Sequence, residues 1–154
     1  MKSKLITVGL MVIMALSLLA CSPKAAEEPV SPAPNKVSVA VTCDDFMNQT
    51  HISKQFEIQT GGSLTVTLCS NPTTGFEWES AQISDQTVLQ QIDHKFVAPE
   101  TKGDGPPAPG TPGKEVWTFK ALKEGTSTIS MEYSRPWEGG EKGEWTFALT
   151  VVVK

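Results

Sequence analysis

The placement of proline is the feature of this sequence that most limits its fold. All eleven prolines lie in an N-terminal stretch or at three internal sites, at residue 72, over residues 99–112 and at residue 136. Because proline cannot donate a hydrogen bond to a sheet ladder, the segments between these sites are the ones that remain free to form strands.

Those proline-free segments alternate apolar and polar residues with a period of two, the pattern of strands with one buried face. The alternating apolar positions are Phe56, Ile58, Leu64, Val66, Leu68, Trp117, Phe119, Ala121, Ile129, Met131, Tyr133, Trp145, Phe147, Leu149, Val151 and Val153. No segment shows a convincing period of 3.6, and only residues 85–91 are compatible with a short helical turn. We therefore predict an all-β protein with one β-sandwich over residues 36–154.

The first 20 residues predict a lipoprotein signal peptide. A short basic start precedes an apolar run over residues 5–20, which is too short for a stable membrane span. The run ends in Leu18-Leu19-Ala20-Cys21, which resembles the lipobox of bacterial lipoproteins, whose cysteine carries lipid. We expect lipidation of Cys21, a proline-rich tether over residues 21–35, and a lipid-anchored location in the cell envelope outside the cytoplasm. The alternative is an ordinary signal peptide with an incidental cysteine.

Composition and motifs exclude several classes of function. With 17 acidic and 13 basic residues and a formal net charge of -4, the chain lacks the basic face that nucleic-acid binding needs. Two His and three Cys are too few and too scattered for a zinc site. The sequence has no nucleophile elbow, no HExxH motif and no glycine-rich phosphate loop. We expect no enzymatic activity, no metal and no cofactor.

Two cysteines remain once Cys21 is set aside, in a compartment that permits disulfides. We favour a disulfide between Cys43 and Cys69. Two buried thiols on neighbouring strands are the alternative.

Three segments at predicted turns carry residues that could bind a partner. The first, Asn71-Pro72-Thr73-Thr74-Gly75-Phe76, joins a turn-initiating Asn-Pro to two stiff threonines and a glycine. The second is a long proline- and glycine-rich stretch that ends in Gly110-Thr111-Pro112-Gly113, and loops of this length are usually functional or mobile. The third, Arg135-Pro136-Trp137, places a guanidinium and an indole at a turn. Taken singly, each could be a plain turn, a disordered insertion or a cap on the sandwich.

Together the three segments resemble the loops of the chagasin-type inhibitors of papain-like cysteine peptidases. The family's NPTTG[YF] and RPW motifs are matched in full and in order, by residues 71–76 and 135–137. The family's middle motif, GxGG, is replaced by residues 110–113, where Pro112 fixes φ and removes one N–H. The resemblance extends from about Val37 to the C-terminus.

The resemblance implies an immunoglobulin-like β-sandwich with three binding loops at one end. It implies a monomeric, reversible and non-covalent inhibitor that blocks the active-site cleft of a papain-like cysteine peptidase. Thr73 would lie near the catalytic thiolate, and Trp137 would pack on an aromatic surface beside the primed side. Residues 110–113 would lie along the unprimed side, and Arg135 would brace its loop through a carboxylate. The alternative is an envelope-anchored adhesion or assembly module, because an exposed Trp137 could also serve a glycan or another protein.

Overall fold

The computed structural model describes residues 34–101 and 105–154 of the chain. The predicted signal peptide, the lipidation site at Cys21 and the tether up to residue 33 lie outside this described part. Within it, no helix has the length and apolar character needed to cross a membrane. The elements are β1 (Lys36–Val41), α1 (Cys43–Asn48), β2 (His51–Ile58), β3 (Ser63–Ser70), β4 (Glu77–Trp78), β5 (Gln82–Ile83), β6 (Leu89–Val97), β7 (Gly113–Ala121), β8 (Gly125–Ser134) and β9 (Trp145–Val153).

Two sheets form a sandwich, as the alternation predicts. The first sheet has the order β1-β3-β7-β6, with β1 parallel to β3 and the other pairs antiparallel. The second has the order β2-β9-β8-β4, with β2 parallel to β9, and β5 also pairs with β8. The prediction of an all-β sandwich is confirmed.

The core consists of the residues that the period of two singled out. Of the sixteen alternating apolar positions, only Phe56 and Trp145 are half-buried, and the others are buried. Trp78 on β4 meets Trp117 on β7 edge to face, with ring centroids 6.4 Å apart. The two sheets therefore contact each other through aromatic side chains as well as aliphatic ones.

Residues 85–91 include a single turn, as the sequence allows, and the α-helix of the described residues lies elsewhere. In this turn, the N–H groups of Val88 and Leu89 donate to the Asp85 carbonyl. Strand β6 then begins at Leu89. The helix is instead α1, which begins after Thr42, where the Thr42 and Asp45 side chains form a reciprocal capping box. Six residues with Phe46 as the one buried side chain are too few to display a helical period.

Candidate functional site

The topology brings the three predicted segments to one end of the sandwich. We call residues 71–76 loop 1, residues 110–113 loop 2 and residues 135–137 loop 3. Ser70, the last residue of β3, pairs with Gly113, the first residue of β7, so loops 1 and 2 meet at the same sheet end. Loop 1 then crosses to the other sheet, where Glu77 pairs with Ser134, the residue before loop 3. The three loops therefore form one surface.

Loop 1 is a compact turn fastened by its own side chains. Residues Pro72–Thr74 form a 3-10 turn that ends at Gly75, which has a φ of +80°. The Thr74 hydroxyl donates to the Asn71 carbonyl over 2.7 Å, and the Thr73 hydroxyl donates to Asn71 Oδ1 over 2.7 Å. Pro72, Thr73 and Thr74 are exposed at the tip. The loop is held in shape while its tip remains open to a partner.

Asn71 ties loop 1 to the core and to loop 2. Its backbone N–H donates to the phenol oxygen of Tyr133 over 2.8 Å, and its side-chain amide donates to the Gly110 carbonyl over 2.9 Å. A hydrogen bond between two loops 39 residues apart fixes their spacing.

Arg135 links loop 3 to loop 1 and to a carboxylate. Its guanidinium forms an ion pair with Glu141 at 2.8 Å, which is the brace that the sequence predicts. The same guanidinium lies 4.5 Å from the centroid of the Phe76 ring and 5.8 Å from that of Trp137. Phe76 in turn stacks on Tyr133, with centroids 5.5 Å apart. Arg135 therefore joins both loops to the aromatic core through cation–π contacts.

Trp137 is half exposed and packs against loop 1. The residue is 51% exposed, and the edge of its indole ring lies over Gly75. A Cβ at Gly75 would approach Trp137 Cη2 to 2.8 Å, so only glycine allows this contact. Gly140 closes loop 3 by donating its N–H to the Trp137 carbonyl over 3.0 Å. The largest apolar side chain of the three loops is thus presented in a defined position.

Loop 2 has an exposed part and a buried part. The N–H and hydroxyl of Thr111 donate to the Ala108 carbonyl over 3.1 and 2.7 Å, which makes a turn with Gly110 at a φ of +81°. Gly110, Thr111 and Pro112 are exposed, whereas Gly113 is buried in β7. A Cβ on Gly113 would meet Phe96 Cζ at 2.6 Å. Gly113 therefore shapes the loop from below, and the three residues before it form its accessible surface.

A buried carboxylate beneath loop 1 was not anticipated from the sequence. Glu115 is buried and accepts a hydrogen bond from the Ser70 hydroxyl over 2.8 Å, and its other oxygen lies 2.8 Å from His94 Nε2. Glu115 occupies an inward position in the alternation of β7, next to Trp117 in that series. A charged residue at a core-facing position is the signal that could have located it.

A disulfide attaches α1 to the strand that leads into loop 1. The structure joins Cys43 of α1 to Cys69 of β3, with a Cα–Cα distance of 5.1 Å, so α1 is attached two residues before Asn71. In the described part of the chain, no group of three or more His, Cys, Asp or Glu side chains is arranged to hold a metal ion.

Comparisons with known proteins find similarity to peptidase inhibitors. A family model described as chagasin family peptidase inhibitor I42 matches residues 57–151. Amoebiasin-2 from Entamoeba histolytica is 33% identical over 91 residues, which cover 59% of this chain and 70% of that protein. Chagasin from Trypanosoma cruzi is 26% identical over 96 residues, which cover 60% of this chain and 83% of that protein. The crystal structure of the cysteine protease inhibitor EhICP2 from Entamoeba histolytica aligns with a TM-score of 0.59 at 24% identity, over 79% of this chain and all of that one, and supports the sandwich fold.

Proposed function

Because this chain belongs to the chagasin family of peptidase inhibitors, we propose that it inhibits papain-like cysteine peptidases by placing loops 1, 2 and 3 in the active-site cleft. Membership of this family makes the chain an inhibitor and not an enzyme. The binding is reversible and non-covalent, and the partner is a cysteine peptidase, the class that the structurally similar EhICP2 inhibits.

The observation that carries this proposal is the mutual support of the three loops. Asn71 bonds to Gly110, Trp137 covers Gly75, and Arg135 lies over Phe76, so each loop is held by another in the free chain. Binding then orders few side chains and little backbone, which lowers the entropic cost of association. A surface already arranged in this way fits a tight inhibitor.

The shape of loop 1 explains how it could occupy a cleft without being cleaved. A peptidase attacks a peptide bond whose carbonyl carbon is aligned with its nucleophile. Residues Pro72–Thr74 curl into a 3-10 turn, so their backbone is not extended along the cleft. Thr73 at the exposed tip lies close to the catalytic thiolate in this arrangement. Its hydroxyl is already engaged by Asn71.

Trp137 supplies the apolar anchor beside loop 1. Rigid aromatic side chains are typical hot spots, and truncating one costs about 2–4 kcal/mol. Residues 110–112 lie along the unprimed side in this arrangement, where Pro112 offers no N–H to the enzyme. Loop 2 therefore contributes through shape and carbonyl groups more than through backbone donors.

Titration of papain with the purified protein tests the proposal. We expect nanomolar inhibition, with the inhibitor intact by mass after prolonged incubation. Trp137→Ala should raise the inhibition constant by roughly 30-fold to 1000-fold, the equivalent of about 2–4 kcal/mol. Leu122→Ala is the matched control, because Leu122 is also an exposed apolar residue but follows β7 at the end away from the loops. No inhibition at micromolar concentration would refute the proposal.

We further propose that the inhibitor acts as a monomer held at the cell envelope by lipid on Cys21. The lipobox in the sequence supports the anchor, and one chain supplying all three loops supports the monomer. Fractionation of cells should find the wild-type protein in membranes and a Cys21→Ser variant in the soluble fraction. Wild-type protein that is already soluble would refute the anchor.

A further inference from the structure

An apolar groove lies beside the loops, on the side of α1. Its lining includes three aromatic side chains, those of Phe76, Tyr133 and Trp145. Loop 1 and Pro112 of loop 2 line one part of it, and α1 lines another through Met47. The groove has a volume of about 360 Å³. It has room for an aliphatic or aromatic side chain.

The helix beside this groove lies outside the part of the chain that the family model matches. That match begins at residue 57, whereas α1 covers Cys43–Asn48. Even so, α1 is anchored at the base of loop 1 by the bond between Cys43 and Cys69. Phe46 is fully buried and stacks on Trp145, with ring centroids 4.9 Å apart and planes 8° apart. The helix is a fixed part of this end of the sandwich.

Met47 is the feature of α1 that the packing of the free chain leaves unexplained. It is 69% exposed, the most exposed large apolar side chain of the described residues. The adjacent Phe46 already provides the helix with its core contact. Met47 lines the groove together with Phe76, Pro112 and Trp145, and a continuous apolar patch of this kind is typical of a contact surface.

We propose that this groove is an additional contact site for the peptidase and takes an apolar side chain from the rim of the active-site cleft. The inference rests on the proposed function. The groove is continuous with the loop surface, because Asn71, Thr74 and Pro112 line it and also belong to loops 1 and 2. A peptidase that touches those residues covers the mouth of the groove. Glu144 is the one acidic or basic side chain among the lining residues, so an apolar occupant matches the site better than a charged one.

Substitution of Met47 tests the contact through affinity. Met47→Lys should weaken inhibition of papain about tenfold, because a charge enters a desolvated contact, and Met47→Ala should weaken it less. Leu122→Lys is the control, since Leu122 is exposed at the far end of β7 and should leave inhibition unchanged. Thermal melts of all three variants separate loss of contact from loss of fold.

Oxidation of Met47 tests the same contact in the wild-type chain. Dilute peroxide should oxidise Met47 in the free protein, while Met131, which is 1% exposed, serves as the protected reference. An excess of papain carrying serine at its catalytic cysteine should slow oxidation of Met47 several-fold. Equal oxidation rates in the free and bound protein would overturn the groove contact, and so would a Met47→Lys variant that inhibits like wild type. Failure of the wild-type protein to inhibit papain would instead overturn the proposed function. The proposal that a peptidase side chain fills the groove would then fail as well.

Discussion

Replacing Gly75 with alanine isolates the contact between loops 1 and 3. Gly75 has a φ of +80°, and Gly61, in the turn before β3 at the opposite end of the sandwich, has a φ of +78°. Alanine in this left-handed region costs about 1–2 kcal/mol, partly offset by about 0.4–1 kcal/mol because the unfolded chain loses freedom. Both variants should therefore lose about 1 kcal/mol of stability, or roughly 4 °C in melting temperature.

The two variants differ in what the new methyl group meets. At Gly61 nothing lies within 4 Å, whereas at Gly75 the Cβ would lie 2.8 Å from Trp137 Cη2. That distance is about 1 Å shorter than a favourable carbon–carbon contact, so the indole has to move. Trp137 can swing into solvent cheaply in the free protein, but it then no longer stands where the peptidase needs it. Gly75→Ala should weaken inhibition by about fivefold to thirtyfold, or roughly 1–2 kcal/mol, and Gly61→Ala should leave it unchanged.

Inhibition constants for papain, measured together with thermal melts, test whether the displaced indole causes the loss of affinity. In a Trp137→Ala background, Gly75→Ala should cost no more affinity than Gly61→Ala, because the clash has been removed. Two results would refute the reasoning. One is inhibition by Gly75→Ala that matches Gly61→Ala in the wild-type background. The other is an extra loss for Gly75→Ala that persists without the indole.

Three further predictions concern loop 1, the disulfide and α1. Thr73→Arg should weaken inhibition of papain more than Thr73→Ala, because bulk and charge enter a desolvated contact, and equal effects in a titration would contradict the placement of Thr73 at the cleft. Intact-mass analysis without reduction should find Cys43 and Cys69 protected from alkylation, and two alkylated thiols would show that they do not pair. The hydrogen bonds from the Thr42 hydroxyl and backbone N–H lower the pKa of Asp45, so its stabilising effect is present above a pH of about 4 and is lost as pH falls through the lowered pKa. Thermal melts across acidic pH should therefore show Asp45→Asn to be less acid-sensitive than wild type, and parallel profiles would contradict this.

The strands that could be predicted are those with one buried face and several residues. In β9, Phe147, Leu149 and Val151 point into the core at every second position, so the period is visible in the sequence. In β6, Leu89 is the one buried residue and the rest of the strand is exposed, so there is no alternation to detect. Strands β4 and β5 have two residues each, too short for any periodic pattern. The number of buried positions per element explains these cases, but not β1, whose buried Val37, Val39 and Val41 alternate and are still absent from the predicted positions.

The loop residues could be predicted, but their contacts with one another could not. Asn71 and Trp137 stand out because they belong to uncommon motifs at turns. The bond from Asn71 to Gly110 and the packing of Trp137 on Gly75 join residues that are far apart in the chain. Such contacts depend on which strand ends the sandwich brings together, and a local pattern carries no information about that.

These contacts determine how substitutions in the three loops should combine. Arg135 touches Phe76 and Trp137, and Trp137 touches Gly75, so loops 1 and 3 share one set of side chains. Residues in direct contact show interaction energies of about 0.5–3 kcal/mol, whereas distant sites add independently. Truncating Arg135 would release both aromatic partners, so its cost and that of Trp137→Ala overlap and cannot be summed. Loops 1 and 3 therefore contribute to the binding energy as one packed unit. The affinity lost in a single variant reports how much of that packing the substitution disrupts.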